Sequence, residues 1–159
     1  MFAVTVSFRL LSVSCLALAL AVPASAQDTG AEPSYGTINL SAGFTPDPYQ
    51  VNVSSGGNTD ASGIDSSCTG NIANAPDIRV VYSSGSLPLI ISVNSEFDTT
   101  LVVNAPDGRW YCDDDTGEGV NPSLRFAKPM SGRYEIWVGT YSGSDYRPAV
   151  VDISELYSQ

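Results

Sequence analysis

Apolar and polar residues alternate in short runs along most of this chain, and turn-forming residues separate the runs every ten positions or so, roughly the spacing of an all-β domain. The runs are TINL (37–40), YQVNVS (49–54), DIRVVY (77–82), LIISVNS (89–95), TTLVVNA (99–105), RWYC (109–112), SLRF (123–126), RYEIWVG (133–139) and AVVDIS (149–154). In RYEIWVG, Tyr134, Ile136 and Val138 share one face while Glu135 and Trp137 share the other; in TTLVVNA, Leu101 and Val103 oppose Val102. A period of two is that of a strand, whose successive side chains point to opposite sides. Turn signals such as Pro106-Asp107-Gly108 and Ser142-Gly143-Ser144 lie between the runs. Nine short strands with almost no helical periodicity predict an all-β fold, an antiparallel β-sandwich of jelly-roll-like form. One face of each strand is expected to be buried and the other to meet solvent or a partner. Trp110, Trp137 and Tyr141 are expected to pack in the core or at sheet edges, with a ligand-stacking face as the alternative.

Three segments break the pattern. Residues 1–26 hold one early Arg9, an apolar run from Leu10 to Val22 closed by Pro23, and the small-residue signature Ala24-Ser25-Ala26. That is the layout of a secretory signal peptide, and the run is shorter than the roughly 20 residues a membrane span needs. The chain is therefore expected to be secreted or periplasmic, with no membrane insertion once the signal is removed. Residues 27–36, QDTGAEPSYG, read as a flexible leader, and 37–159 as a single domain. Residues 54–76 read as a long polar loop, of the kind that is either functional or tied down. GFTPDPY (43–49) reads as a stiff connection, because each proline fixes its own φ and restricts the residue before it.

Charge narrows the partners. The chain has a formal charge of −10, and loss of Arg9 with the signal makes the remainder one unit more negative. Such a surface repels nucleic acid and anionic lipid and favours cations. Cys68 and Cys112 survive signal cleavage and, as an even count in an exported chain, are expected to form a disulfide. Closing that loop stabilises a fold by roughly 4 kcal/mol in the chain-entropy model. It would also bring Asp65 and Asp77 toward the acidic run that follows Cys112.

The stretch from PDIRVVY through FDTTLVVNAPDGRWYCDDDTGEGVNPSLRFAKPMSGRYEIWVGTYSG resembles the bacterial pre-peptidase C-terminal domain. That family pairs an Asp-led strand with a P-D-G turn, an acidic loop and a G-x-Y-x-I-x-V-G strand. Asp98, Leu101, Val103, Pro106, Asp107, Gly108, Asp113, Asp114, Gly132, Tyr134, Ile136, Val138 and Gly139 fall in step with it, and the likeness covers 77–154. The resemblance implies a secreted β-sandwich, often calcium-bound and usually appended to exported proteases. In this chain the domain is expected to stand alone, so a peptidase label would describe the family's neighbours.

The acidic run is the candidate site. Calcium takes six to eight hard oxygen ligands, and clustered Asp with Asn and Gly on a loop can supply them. Asp113 and Asp115 with Asp98 or Asp107 form the preferred set, and Asp114, Glu118 and Asn121 are further candidates. The run is not an EF-hand, because Leu124 stands where the bidentate Glu belongs. A solvated acidic turn is the competing reading.

Catalysis is not expected. The chain has no histidine, which excludes a Ser-His-Asp triad, a Cys-His pair and a His-ligated zinc. Lys128 has no marked serine partner, and FDTT (97–100) has no second copy to make an aspartic dyad. The sequence thus points to a secreted, non-catalytic binding or structural module stabilised by Ca²⁺, with an extracellular protein or polysaccharide as partner. The alternatives are an accessory subunit or modulator of a separate exported hydrolase, and a carbohydrate-binding module. Exposed sheet edges also permit self-association.

Overall fold

The computed structural model describes Met1 and residues 27–159. The expected signal peptide, 1–26, lies outside the described residues apart from Met1. Eleven strands follow in order: β1 (Thr37–Ser41), β2 (Tyr49–Ser55), β3 (Thr59–Asp60), β4 (Asn71–Ile72), β5 (Ile78–Ser83), β6 (Leu89–Asn94), β7 (Thr99–Asn104), β8 (Trp110–Asp113), β9 (Ser123–Phe126), β10 (Gly132–Thr140) and β11 (Arg147–Ser154). All nine predicted strands are present. The two extra ones, β3 and β4, flank a one-turn 3-10 helix at Ala61–Gly63 inside the segment expected to be a long loop.

The strands form a seven-stranded and a four-stranded sheet. In the larger sheet β10 is central: it pairs with β5 along its first half, with β7 along its second, and with β4 at Thr140. β8 extends the sheet beyond β7, and β1 extends it beyond β5. The smaller sheet runs β2-β11-β6-β9. Pairing is antiparallel except between β1 and β5, which run parallel. A parallel neighbour needs a long crossover, and the chain supplies one by visiting the other sheet as β2 and then running through β3 and β4 before it reaches β5.

Between the sheets lies the main core, with Leu40, Val80, Tyr82, Ile91, Leu101, Ile136, Val151 and Ile153 all buried. Its seam between β8 and β9 is closed by rings: Tyr111 meets Phe126 edge-on at 5.1 Å, and Phe126 meets Tyr134 at 5.3 Å. Tyr134, Ile136 and Val138 face this core as the alternation predicts. Trp137 and Val102, on the opposite face, are also fully buried. They form a second core with Ala61, Cys68 and Ile72, against which Trp110 packs at 5.4 Å from the Trp137 ring. Segment 54–76 is therefore a cover for the outer face of the large sheet, and the Cys68–Cys112 disulfide fastens it to β8. Gly57 lets this cover lie close, since a Cβ there would strike the Ile72 backbone.

Residues 27–36 differ from the flexible leader the sequence suggested. Gln27 is buried and its amide donates to the Ala73 carbonyl. Ser34 N donates to Pro76 O at 2.9 Å and Tyr35 N to Asp77 O at 2.7 Å. The carbonyls of Thr29 and Ala31 receive the guanidinium of Arg79 at 3.4 and 2.8 Å, and Arg133 reaches Thr29 O at 3.0 Å. None of these partners is near in sequence, so composition alone reads the segment as loose. The stiff connection after β1 is realised with cis bonds at Thr45-Pro46 and Asp47-Pro48. It docks on the end of β11: the Asp47 carboxylate accepts from the Ser154 hydroxyl and from Glu155 N, and Glu155 in turn accepts from Gly43 N at 2.7 Å and the Tyr82 hydroxyl at 2.6 Å.

Candidate functional site

β7 and β8 pair with Leu101 opposite Asp113, so the start of β7 and the end of β8 lie at the same end of the sandwich. The loop that leaves β8 there carries the acidic run. Its residues divide by what their oxygens already do. Asp113 Oδ2 accepts three hydrogen bonds, from Thr116 N at 3.1 Å, Thr116 Oγ1 at 2.8 Å and Ser123 N at 2.8 Å, and so closes the loop onto the start of β9. Asn121 is buried: its amide oxygen accepts from Thr99 Oγ1 at 2.7 Å and its nitrogen donates to Ser95 O at 2.8 Å. Asp107 sits at the other end of β8, on the order of 10 Å from the loop by strand rise. There it accepts from Arg109 N and the Tyr111 hydroxyl, and the Arg109 bond holds its carboxyl below the usual range.

The remaining acids are drawn together. The Asp98 carboxyl is pushed up, first by burial and then by the charges of Asp115 and Asp114, which come from a different loop. Asp114 also accepts a long bond from Thr69 Oγ1 at 3.4 Å, next to the disulfide that holds the cover segment. Glu118 lines a shallow depression with Val120, Asn121 and Gln159. The β10–β11 hairpin joins this end through Tyr141 N, which donates to Asp98 O at 3.2 Å. Tyr141 is 50 % exposed and Tyr146 64 % exposed on that hairpin. Of the three aromatics expected in the core or at sheet edges, Trp137 is fully buried and Trp110 half-buried, whereas Tyr141 stands in a solvated turn.

Among the described residues, no three His, Cys, Asp or Glu side chains are arranged to hold a metal ion. Calcium needs six to eight oxygens, yet Asp113, Asp107 and Asn121 are already engaged by protein donors. Asp65 and Asp77 are engaged elsewhere in the fold. Asp65 accepts from Ser67 N at 2.9 Å and Ser67 Oγ at 2.7 Å. Asp77 lies inside the fold, 3 % exposed, accepting from Val138 N at 2.7 Å.

Burial pushes the Asp77 pKa up to about 7, against the Val138 bond that lowers it. The folded protein then holds a proton on Asp77 that the unfolded chain has lost above pH ~4. This group's contribution to stability is full below pH ~4, falls as pH rises toward about 7, and is flat beyond. Urea unfolding is expected to show a loss on the order of 2–3 kcal/mol between pH 5 and pH 8 from this residue, and Asp77→Asn is expected to flatten that slope. An unchanged slope in Asp77→Asn would place the pH dependence elsewhere.

Sequence reasoning missed a buried ion group on the outer face of β10. Glu135 Oε1 meets Arg79 Nε at 2.6 Å and Arg133 Nε at 2.8 Å. The available signal was phase: Glu135 shares its face with Trp137, and a face that buries a tryptophan buries its neighbours.

Fold and site together define an all-β sandwich with a covered outer face, an acidic loop end and exposed tyrosines. No family model matches the chain, and no curated protein matches it. Among solved structures it is similar to Aeromonas hydrophila PliG, a periplasmic lysozyme inhibitor of g-type lysozyme, at 15% identity with a TM-score of 0.43, over 78% of this chain and 98% of that one. It is also similar to the pre-peptidase C-terminal domain of a collagenase from Bacillus anthracis, at 16% identity with a TM-score of 0.43, over 74% of this chain and 92% of that one.

Proposed function

We propose that the chain is an exported, non-catalytic binding module whose loop end around Asp98, Asp114 and Asp115 receives the cationic surface of another exported protein. One observation carries the reading: Asp98 meets the charges of Asp115 and Asp114 from a second loop, and these add to burial in pushing its pKa up. A partner that brings positive charge relieves that repulsion and is steered to it from a distance. Tyr141 is tied to Asp98 through its backbone and Tyr146 is exposed on the same hairpin, and tyrosine supplies interface area at small entropic cost. The absence of histidine supports the non-catalytic part of the reading, and the secretory layout of residues 1–26 supports export. No helix among the described residues is long and apolar enough to cross a membrane. If the partner is a hydrolase, the chain is its accessory subunit or modulator. Calcium belongs to this reading as a screening ion at the same three acids.

Titration calorimetry with a Lys/Arg-rich peptide tests the site. Asp114→Asn with Asp115→Asn is expected to weaken binding about tenfold, whereas the equal-charge control Asp28→Asn with Glu32→Gln is expected to leave it unchanged. Equal losses in the two variants would reduce the effect to net charge and sink the proposal. In the same preparations, millimolar calcium is expected to raise Tm by only about 1–3 °C, the size of a weak screening effect, and equally in Asp113→Asn. A large shift abolished by Asp113→Asn would instead make the loop a calcium site.

A further inference from the structure

The four-stranded sheet has an outer face of its own, which meets the acidic loop only at Glu118 to Asn121. On that face Val150 of β11 pairs with Asn52 of β2 on one side and Asn94 of β6 on the other. With strands ~4.8 Å apart, the two amides straddle an apolar floor about 10 Å wide. Both asparagines are exposed. A wall rises beside them at residues 95–97: Ser95 Oγ donates to Pro148 O at 2.9 Å and accepts from Phe97 N at 3.1 Å. The Arg147 guanidinium lies over the Phe97 ring, 4.9 Å from its centre, in a cation–π contact. The depression so formed has a volume of ≈ 290 Å³, and a second of ≈ 390 Å³ adjoins it through Asn94 and Ser95.

The next row of the same face shows what such a surface holds. Asp152 pairs with Gln50 and Ser92, and the chain's own C-terminal tail lies over this row. Gln159 N donates to Ser92 Oγ at 3.1 Å, and the hydroxyls of Ser158 and Ser123 meet at 2.6 Å. Asp152 is left 1 % exposed, with one oxygen bonded to Gln50 Nε2 at 2.7 Å and the other without a partner among the described residues. Half of the face thus seats Ser158 and Gln159 of the tail through serine hydroxyls, and the other half offers polar side chains to solvent.

We propose that the open half, with Asn52 and Asn94 astride Val150 and Phe97 as the wall, binds a neutral extended polysaccharide. A side-chain amide donates and accepts at once, which suits vicinal hydroxyls, and the Val150 and Pro148 floor suits the C–H face of a pyranose ring. A peptide adding itself as a strand needs unpaired backbone, and β11 is paired on both sides. Glu96 and Glu118 line the two depressions and repel an anionic polymer. The two depressions share Asn94 and Ser95 in their walls, so both ends of a short oligosaccharide have a place to rest.

NMR titration of the isotope-labelled full chain with chitohexaose and with cellohexaose tests the proposal. At least one of them is expected to shift the Asn52 and Asn94 side-chain amide resonances at millimolar concentration. The expected binding weakens about fivefold or more in Asn52→Ala with Asn94→Ala, as loss of two polar contacts on an open surface implies. It is unchanged in Asp114→Asn with Asp115→Asn, which separates it from the acidic end. Failure of both sugars to move these resonances overturns the proposal. So does equal binding by the Asn52/Asn94 variant, or displacement of the same resonances by a polar peptide and not by either sugar.

Discussion

Changing Cys68 and Cys112 together to serine is expected to lower the free energy of unfolding by roughly 4 kcal/mol. The two cysteines are 44 residues apart in sequence, so the bridge removes much of the freedom of the unfolded chain. Its position adds a second effect. Cys68 is itself part of the outer core, 1 % exposed, and the segment it anchors is what keeps water from Trp137 and Val102. Loss of the bridge should therefore loosen the cover before the sandwich. The chain has two tryptophans, and both lie in this outer core, so fluorescence reads the cover and far-ultraviolet circular dichroism reads the strands. The expected result is a red shift of the emission at urea concentrations where the strand signal persists. Coincident transitions with an unchanged midpoint would show that the cover is held by packing alone.

Glu135→Ala is expected to be comparably damaging, on the order of 3–5 kcal/mol, because it strands a buried cation. The Arg79 side chain is 11 % exposed, and Glu135 is its only carboxylate partner among the described residues. The carbonyls of Thr29 and Ala31 would still solvate the guanidinium but could not neutralise it. Arg133 offers the contrast. Its side chain is 51 % exposed, so Arg133→Ala is expected to cost no more than about 1 kcal/mol. The double variant Arg79→Met with Glu135→Leu is expected to recover most of the loss, since a packed apolar pair often replaces a buried ion pair without penalty. Equilibrium unfolding of the four proteins decides this, and a loss below about 1 kcal/mol for Glu135→Ala would show the pair to be solvated in practice.

These two sites mark the boundary between what the sequence discloses and what it withholds. Alternation located Tyr134, Ile136 and Val138 on one face of β10 and found all nine principal strands, because a strand's period is local. It could not say what lies on the far side. Glu135 and Trp137 are buried by segments 27–36 and 54–76, which have no periodicity of their own and owe their order to distant partners such as Arg79, Asp77 and Cys112. The same limit applies to the acidic run. Composition grouped Asp107 with Asp113, but β8 holds them at opposite ends, and Asp113 Oδ2 is engaged in closing the loop while the Asn121 oxygen accepts from Thr99. The grouping of Asp98 with Asp114 and Asp115 needs the pairing of β7 with β8. The row Asn52, Val150, Asn94 needs three strands in register, and no local pattern in the sequence connects them.

The order of strands in the smaller sheet also sets when this protein can fold. β11, the last in chain order of the described strands, sits between β2 and β6, and β2 has no other partner in that sheet. Until β11 is available, β2 remains an unpaired ribbon and the main core lacks Val151 and Ile153. Pairing across so much of the chain is intrinsically slow. A sandwich that cannot close before β11 emerges stays an open thread while every earlier strand is made.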